Sequence, residues 1–387
     1  VYEVFGELEI PLLANLPLAQ ELTLNVSGRY TDYDSYGDDT TYKVGLVYTP
    51  FDWISLRSTY GTSYRAPALF EQFLGATSGF LNQSSDPCNN YDAAGVFANR
   101  AANCASEGLA PGFTATQGIT VFSQGGAGTG ALAAETSSNF TAGIILQPSL
   151  PTFFGDLSIA VDYYEIEVND GVSRVGSGAI LSRCYDSTAA DFAADNGLCR
   201  LVERSTTGSR ALTVRDSYTN VSTDIVEGID YNARWTRELG PGSLLANLSV
   251  TQFLTQASQL FADDPLDEFN GTIGAPEYTA TADLSYAWDQ FRVRYGVEWI
   301  AGQDSYEYVG LSGPSDYVFD TPDYYIHNMS VQYAADEFTI TAGVRNLFDE
   351  DLPSISQGAY NRIGNAPLYS GYDYVGRTGF IALTKSF

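Results

Sequence analysis

Apolar and polar residues alternate with a period of two through most of this 387-residue chain. Between Phe338 and Arg345, for example, Phe, Ile, Ala and Val occupy every other position, and Thr, Thr, Gly and Arg lie between them. Side chains of a β-strand point alternately to its two faces, so this pattern predicts a strand with one apolar and one polar face. A second strand is predicted from Val375 to the terminal aromatic residue, Phe387.

About thirteen such segments of roughly ten residues follow one another, and many end in Tyr, Trp or Phe. Short turns near residues 50, 150, 240, 289 and 335 alternate with longer loops, the largest at about 66–134 and 171–219. Apolar-out, polar-in strands with aromatic ends, short turns on one side and long loops on the other are typical of an antiparallel transmembrane β-barrel. The alternative is a large soluble β-sandwich that buries the same faces. The repeated asymmetry of the connections favours the all-β barrel, as one domain over residues 1–387.

An odd number of strands would place the two chain ends on opposite sides of a membrane. Single-chain bacterial barrels normally have an even number. We therefore expect this chain to be the C-terminal part of a larger barrel. That expectation predicts an open sheet with two unpaired edges, Val1–Leu12 and Val375–Phe387, which would be prone to aggregate in isolation.

Charge and composition narrow the classes of function. Asp and Glu total 47 against 19 Lys and Arg, and the net charge of −28 would repel nucleic-acid phosphates. The single histidine, His327, lies on a predicted apolar face and argues against zinc sites and Ser–His–Asp catalysis. The sequence therefore predicts no nucleic-acid binding, no enzyme activity, no metal site and no cofactor.

The four cysteines form two local pairs in the two longest loops, Cys88 with Cys104 and Cys184 with Cys199. Neither spacing matches a CxxC metal knuckle, so two disulfides in an oxidising compartment are the favoured interpretation. The alternative is four unpaired thiols.

Five stretches resemble motifs of the TonB-dependent outer-membrane receptors, and together they extend over nearly the whole chain. They are Ser63–Glu71 (similar to F-R-A-P-x-L-x-E), Asp162–Ile166 (D-Y-F-x-I), Val226–Asp230 (x-x-G-I/V-D/E), Gly343–Asp349 (G-x-x-N-L-F-D) and Gly376–Phe387, a terminal strand ending on an aromatic. No single motif is specific, but five in this order are. Lys385 departs from the terminal motif, which is usually apolar or aromatic there. Its amine can reach lipid head groups, so we expect weakened rather than lost assembly.

The resemblance implies a barrel of about 22 strands with a plugged lumen, of which this chain would supply the last part. The plug domain and the TonB box would lie outside the chain. The resemblance further implies the outer membrane of a Gram-negative bacterium, surrounded by lipid, and insertion by the barrel-assembly machinery through a signal ending at Phe387. Its implied activity is the uptake of a scarce small-molecule substrate, driven by the TonB complex.

Two groups of side chains are candidates for contact with a substrate. The candidate lumen-lining residues are Arg57, Asp283, Arg292, Arg294 and Arg345. The candidate loop residues, whose rings could stack on a sugar or an aromatic siderophore, are Tyr306, Tyr308, Tyr317, Tyr360 and Tyr369. For the lumen residues the structural alternative is paired charges on a solvated wall. For the loop tyrosines it is aromatic packing within the loops. For each residue taken singly, the structural alternative is favoured.

A run of acidic residues, Asp263, Asp264, Asp267 and Glu268, supplies oxygen ligands of the kind that calcium prefers. It lacks the ordered spacing of an EF-hand loop, so a solvated charged surface is the favoured interpretation.

For the substrate, the tyrosine-rich loops and the near absence of histidine favour a carbohydrate or another neutral nutrient. A siderophore or iron-complex receptor is the alternative. Three further alternatives are a passive porin-type channel, a barrel enzyme such as a protease or lipase, and an adhesion barrel. Because of the five motifs, all three are less favoured than a transporter.

Overall fold

A computed structural model describes residues 1–34, 37–126, 132–194, 197–314, 316–358, 360–368 and 370–385. Its strands are, in chain order, β1 (Tyr2–Leu16), β2 (Ala19–Tyr33), β3 (Gly37–Phe51), β4 (Ile54–Arg65), β5 (Thr77–Leu81), β6 (Ile119–Gln124), β7 (Glu135–Leu146), β8 (Asp156–Arg174), β9 (Val202–Arg204), β10 (Leu212–Leu239), β11 (Gly242–Gln259), β12 (Asp267–Glu268), β13 (Tyr278–Trp288), β14 (Phe291–Ile300), β15 (Gln303–Asp304), β16 (Asp320–Thr321), β17 (Tyr324–Ala334), β18 (Phe338–Arg345), β19 (Arg362–Ile363), β20 (Ala366–Pro367) and β21 (Thr378–Lys385). The helices are α1 (Leu69–Phe73), α2 (Ala98–Ser106), α3 (Ser177–Asp186) and α4 (Ala189–Ala193), with short 3-10 turns at Gln83–Ser85, Thr152–Phe154 and Gly197–Leu201.

One sheet of 17 strands dominates the molecule. Its long strands pair antiparallel in the series β1–β2–β3–β4–β7–β8–β10–β11–β13–β14–β17–β18–β21, which we call the wall. The wall thus has thirteen strands, the number that the alternation predicts, and β5, β6, β9 and β12 complete the sheet. Among the described residues, β1 pairs with β2 alone and β21 with β18 alone.

Two rows of aromatic rings bracket the apolar face of the wall. One row contains Tyr278, Trp299 and Tyr325, with neighbouring ring centroids 6.3 Å apart. The other contains Trp288, Phe291 and Tyr333, with neighbouring centroids 5.7 and 5.0 Å apart. From Tyr278 to Trp288, β13 rises by about 34 Å along its axis, or about 26 Å after a tilt of about 40°. That height matches the apolar band of about 25 Å in outer-membrane barrels.

Several wall strands are longer than the predicted ten residues. β8 has 19 residues, β10 has 28 and β11 has 18. Beyond the aromatic rows β8 and β10 continue to pair as far as Arg174 and Tyr218, with register shifts on either side of Ser222. Because the strands stay paired there, their backbone N–H and C=O groups keep hydrogen-bond partners. The structure places the loop predicted at about 171–219 between residues 175 and 211, so both predicted bounds were wrong.

The two longest loops, 66–134 and 175–211, pack together, and we call their described residues the cap. The cap is not the patternless segment expected from the sequence, because β5 and β6 pair within it and β6 also runs parallel to the start of β10. Its hydrophobic core includes Ile119, Ile180, Leu181 and Tyr185, and Val214 near the start of β10 belongs to the same cluster. No helix among the described residues is long and apolar enough to cross a membrane.

Candidate functional site

The polar face of the wall carries a cavity of about 370 Å³ between β13 and β21. Three of the five predicted lumen-lining residues, Asp283, Arg294 and Arg345, line it. Glu298 and Asn328 line it as well, and neither was predicted. Both occupy polar positions in an alternating strand, so the period-two pattern is the signal that would have found them.

A glycine gives Asp283 and Arg294 room to pair within this cavity. Asp283 lies opposite Gly296 in the β13–β14 register, two residues along from Arg294. The Arg294 Nε donates a hydrogen bond of 2.7 Å to the Asp283 carboxylate. A Cβ at position 296 would lie 2.9 Å from that carboxylate, so a side chain there would displace the pair.

Arg345 is less firmly engaged than Arg294. Its guanidinium lies 3.7 Å from Glu298 and 3.9 Å from Asp373, and its side chain is 53% exposed. Neither contact is within ordinary hydrogen-bond distance. The positive charge of Arg345 is therefore available to a molecule in the cavity.

The remaining two lumen candidates lie elsewhere on the wall. Arg57 forms two hydrogen bonds of 2.7 and 2.6 Å to Asp162, reaching across Gly143 of the intervening strand β7. A Cβ at position 143 would overlap the Asp162 carboxylate. Arg292 pairs in register with Ala287 and lies outside the cavity. The predicted set of five is therefore distributed over three places.

Two of the loop tyrosines line a common cavity of about 600 Å³. Tyr308 donates a hydrogen bond of 3.0 Å to Asp267, and burial is the main cause that raises its pKa. Tyr360 lies next to Gly274, which lines the same cavity, and burial also raises the pKa of Tyr360. Both phenols thus stay neutral and can act as hydrogen-bond donors or as flat apolar surfaces.

The other loop tyrosines have different surroundings. Tyr306 is buried, and its hydroxyl donates to the backbone carbonyl of Tyr317 at 2.9 Å. Tyr317 stacks on Phe319 with the ring planes 7° apart. Both therefore contribute to packing within the loop. Tyr369 and the predicted terminal signal residue, Phe387, lie outside the described residues.

The acidic run in the loop after β11 is engaged by an arginine of the cap. Arg183 forms an ion pair with Asp264, and its guanidinium lies 4.2 Å from the ring centre of Phe261. Within the described part of the chain there is no group of three acidic, His or Cys residues that could hold a metal ion. The ion pair gives Asp264, one carboxylate of the run, a cationic partner within the protein.

Both predicted disulfides are present in the cap, Cys88–Cys104 and Cys184–Cys199. Each disulfide lies within one loop, and the ion pairs of Arg204, which were not predicted, link the two loops. Arg204 of the second loop is only 1% exposed and donates hydrogen bonds of 2.7 and 2.8 Å to Asp86 of the first loop, and another of 2.6 Å to Glu107. Burial alone would lower the pKa of Arg204, but these hydrogen bonds and charges raise it overall.

The residues of the first motif form a structural clamp. Arg65 pairs with Glu135 and, at 3.0 Å, with Glu71, whose carboxylate also accepts the backbone N–H of Ala68 at 2.7 Å. The motif's arginine and glutamate thus hold α1 against the end of β4. Arg65 and Glu71 therefore have a structural role at the exit of β4.

The histidine lies on the apolar face, as predicted. His327 is in register with Val297, and its Nδ1 is 2.7 Å from the Tyr295 hydroxyl. Phe348 contacts the imidazole edge-on at 4.9 Å between ring centres. Both of these neighbours are aromatic residues.

Comparisons with known proteins agree with this architecture. A family model described as "TonB dependent receptor-like, beta-barrel" matches residues 1–347. A variant of the ferric enterobactin receptor PfeA from Pseudomonas aeruginosa, solved with enterobactin, gives a TM-score of 0.62 at 20% identity, covering 100% of this chain and 45% of that one. The siderophore receptor PirA from Acinetobacter baumannii gives 0.57 at 16% identity, covering 100% and 46%. The FrpB iron transporter from Neisseria meningitidis gives 0.51 at 13% identity, covering 98% and 43%.

The chain therefore spans less than half of the length of each of these three structures. At such identities the likeness establishes the fold. No curated protein sequence matches this one significantly.

Proposed function

The chain belongs to the TonB-dependent receptor family, and from this premise we propose that it forms part of the wall and outer loops of a receptor for active uptake. The observation that carries the proposal is the charged cavity on the polar face of the wall, opposite an apolar face bracketed by aromatic rows. In this arrangement the apolar face contacts outer-membrane lipid, and the polar face lines the path of a small molecule.

The same premise supports the proposed partners. The TonB complex supplies energy through parts of the receptor outside this chain, and the barrel-assembly machinery inserts the wall, with Phe387 as the end of its signal. The location is the outer membrane of a Gram-negative bacterium. A passive porin is less well supported, because the family that the sequence matches is named for TonB-dependent receptors.

For the substrate we favour an iron–siderophore complex over the carbohydrate predicted from the tyrosine-rich loops. Of the described candidate tyrosines, Tyr308 and Tyr360 line a common cavity, whereas Tyr306 and Tyr317 pack within their loop, so the expected aromatic platform for a sugar is reduced to two rings. The partly engaged charge of Arg345 suits an anionic ligand. The solved structures with this fold include receptors for ferric enterobactin and other siderophores, which supports the same substrate class.

Uptake measurements in the native bacterium test the proposal. Deleting the gene should abolish uptake of radioactive iron from at least one siderophore and leave sugar uptake unchanged, and deleting TonB should have the same effect. Restoring the gene with Arg345→Gln should lower uptake about tenfold by removing the charge in the cavity. Arg215→Gln, a change on the exposed side of β10, should restore full uptake.

Loss of sugar uptake alone would refute the iron-complex substrate. Uptake that persists without TonB would refute active transport by this receptor.

A further inference from the structure

The cap contains a cavity of about 680 Å³, separate from both the wall cavity and the tyrosine-lined cavity. It lies between α3, the turn Gly197–Leu201 and the first half of β10. Its walls are largely apolar, formed by Ile180, Leu198, Leu201, Val221 and Phe261 together with the disulfide Cys184–Cys199. The volume is within the range of about 300–1,000 Å³ that is usual for small-molecule sites.

Four charged side chains line this cavity, and three of them have partners within the cap or the adjacent loop. Arg183 is paired with Asp264. Asp216, a buried residue of β10, accepts the backbone N–H of Gly176 at 3.1 Å. Asp191 accepts the hydroxyl of Thr188 at 2.7 Å.

The fourth charged residue, Arg200, is exposed and has no ion pair within the described part of the chain. Its guanidinium offers parallel N–H donors that match a carboxylate or sulfonate. An apolar chamber with one free cation on its lining selects a ligand with a flat apolar body and an anionic group.

We propose that this cap cavity is a second binding site, which takes a small aromatic or otherwise flat organic anion. The site goes beyond the proposed uptake function, because none of its lining residues belongs to the wall cavity or to the tyrosine-lined cavity. The disulfide and the cap's own core hold the chamber in place, so little ordering entropy is lost when a ligand binds.

Calorimetry with two matched probes tests the proposal on the full receptor purified in detergent. Naphthalenesulfonate carries the flat apolar body and the anion, whereas naphthalenesulfonamide has nearly the same shape without the charge. We expect the sulfonate to bind about tenfold more tightly than the sulfonamide, because only the sulfonate forms a charge-assisted pair with Arg200.

Two variants locate the binding. Arg200→Gln should weaken sulfonate binding about tenfold and leave sulfonamide binding unchanged. Ser217→Phe places a ring in the chamber and should abolish binding of both probes. Arg215→Gln removes an exposed arginine of the same strand that does not line the cavity, and should change neither affinity.

Equal affinity of the two probes for the unmodified receptor would overturn the proposal, as would absence of binding at millimolar concentration. It would also be overturned if Ser217→Phe left binding intact in a receptor whose cap still resists protease. Because no transport is measured, these results are independent of whether siderophore uptake is confirmed.

Discussion

Apolar side chains face outward on the wall but inward in the cap. On the wall, apolar side chains of the terminal strand point outward, and Ile381 and Leu383 are 78% and 71% exposed. In the cap, Ile180 and Tyr185 are fully buried around a compact core. In the proposed outer-membrane location the wall meets lipid and needs no internal core, whereas the cap stands in water beyond the aromatic rows and must bury its own apolar residues.

Ion pairs of the wall and the cap also differ in how exposed they are. The wall pair Arg57–Asp162 lies on a wet face, and the Arg57 side chain is 48% exposed. The cap pair Arg204–Asp86 is 1% and 2% exposed. Exposed ion pairs contribute about 0–1 kcal/mol, but removing one partner of a buried pair leaves an uncompensated charge. The comparison predicts that single substitutions damage the cap more than the wall.

The largest effect is expected for Arg204→Ala. It leaves the buried Asp86 and the partly buried Glu107 without their cation, at a cost of about 3–5 kcal/mol to the stability of the cap. The two loops should then become sensitive to protease, while the heat-induced mobility shift of the wall on gels should be unchanged.

The matched control is Arg215→Ala, which removes an exposed arginine of the neighbouring strand and should leave the loops resistant. If Arg204→Ala and Arg215→Ala behave alike, the buried pair does not hold the loops together.

A somewhat smaller effect is expected when one disulfide is removed by the double change Cys184→Ser and Cys199→Ser. The bridge closes a segment with a sequence separation of 15, and its loss should cost about 3 kcal/mol through the added entropy of the unfolded loop. Protease should cut the second loop first. Cleavage that begins in the wall would contradict a cap whose stability is separate from that of the wall.

The sequence predicts the wall better than the cap because a wall strand leaves a local pattern in the sequence. Alternation with a period of two identifies a strand such as β13 and assigns Asp283 and Arg294 to one face. It does not reveal that glycines such as Gly296 make room for ion pairs, since that depends on register.

The cap depends on contacts between residues that are far apart in the chain. Arg204 and Asp86 are separated by 118 positions, and no local pattern joins them. The disulfides could be predicted because each pair is close in sequence, whereas the shared core and the parallel pairing of β6 with β10 could not.

On the wall, the largest effect is expected for Gly143→Val. The new side chain would overlap the Asp162 carboxylate and separate it from Arg57, at a cost of about 1–3 kcal/mol. The temperature of the gel mobility shift should fall. Gly6→Val is the matched control, because a Cβ at that position meets nothing within 4 Å. Combining Gly143→Val with Asp162→Ala should recover most of the loss. Without such recovery, the overlap with Asp162 is not the cause.

The smallest effect is expected for Trp299→Leu in the aromatic row. Trp299 lies between Tyr278 and Tyr325, with both ring centroids 6.3 Å away, near the far end of the usual range for aromatic pairs, so losing both contacts should cost about 0.5–1.5 kcal/mol in total. Leucine keeps an apolar surface toward the lipid, so the cap should resist protease as before. Val293→Leu, on the same face of β14 and nearer the middle of the band, should leave the unfolding temperature of the wall unchanged. A larger loss for Trp299→Leu than for Arg204→Ala would reverse the order of the two regions. Their different environments would then not determine how strongly each responds to substitution.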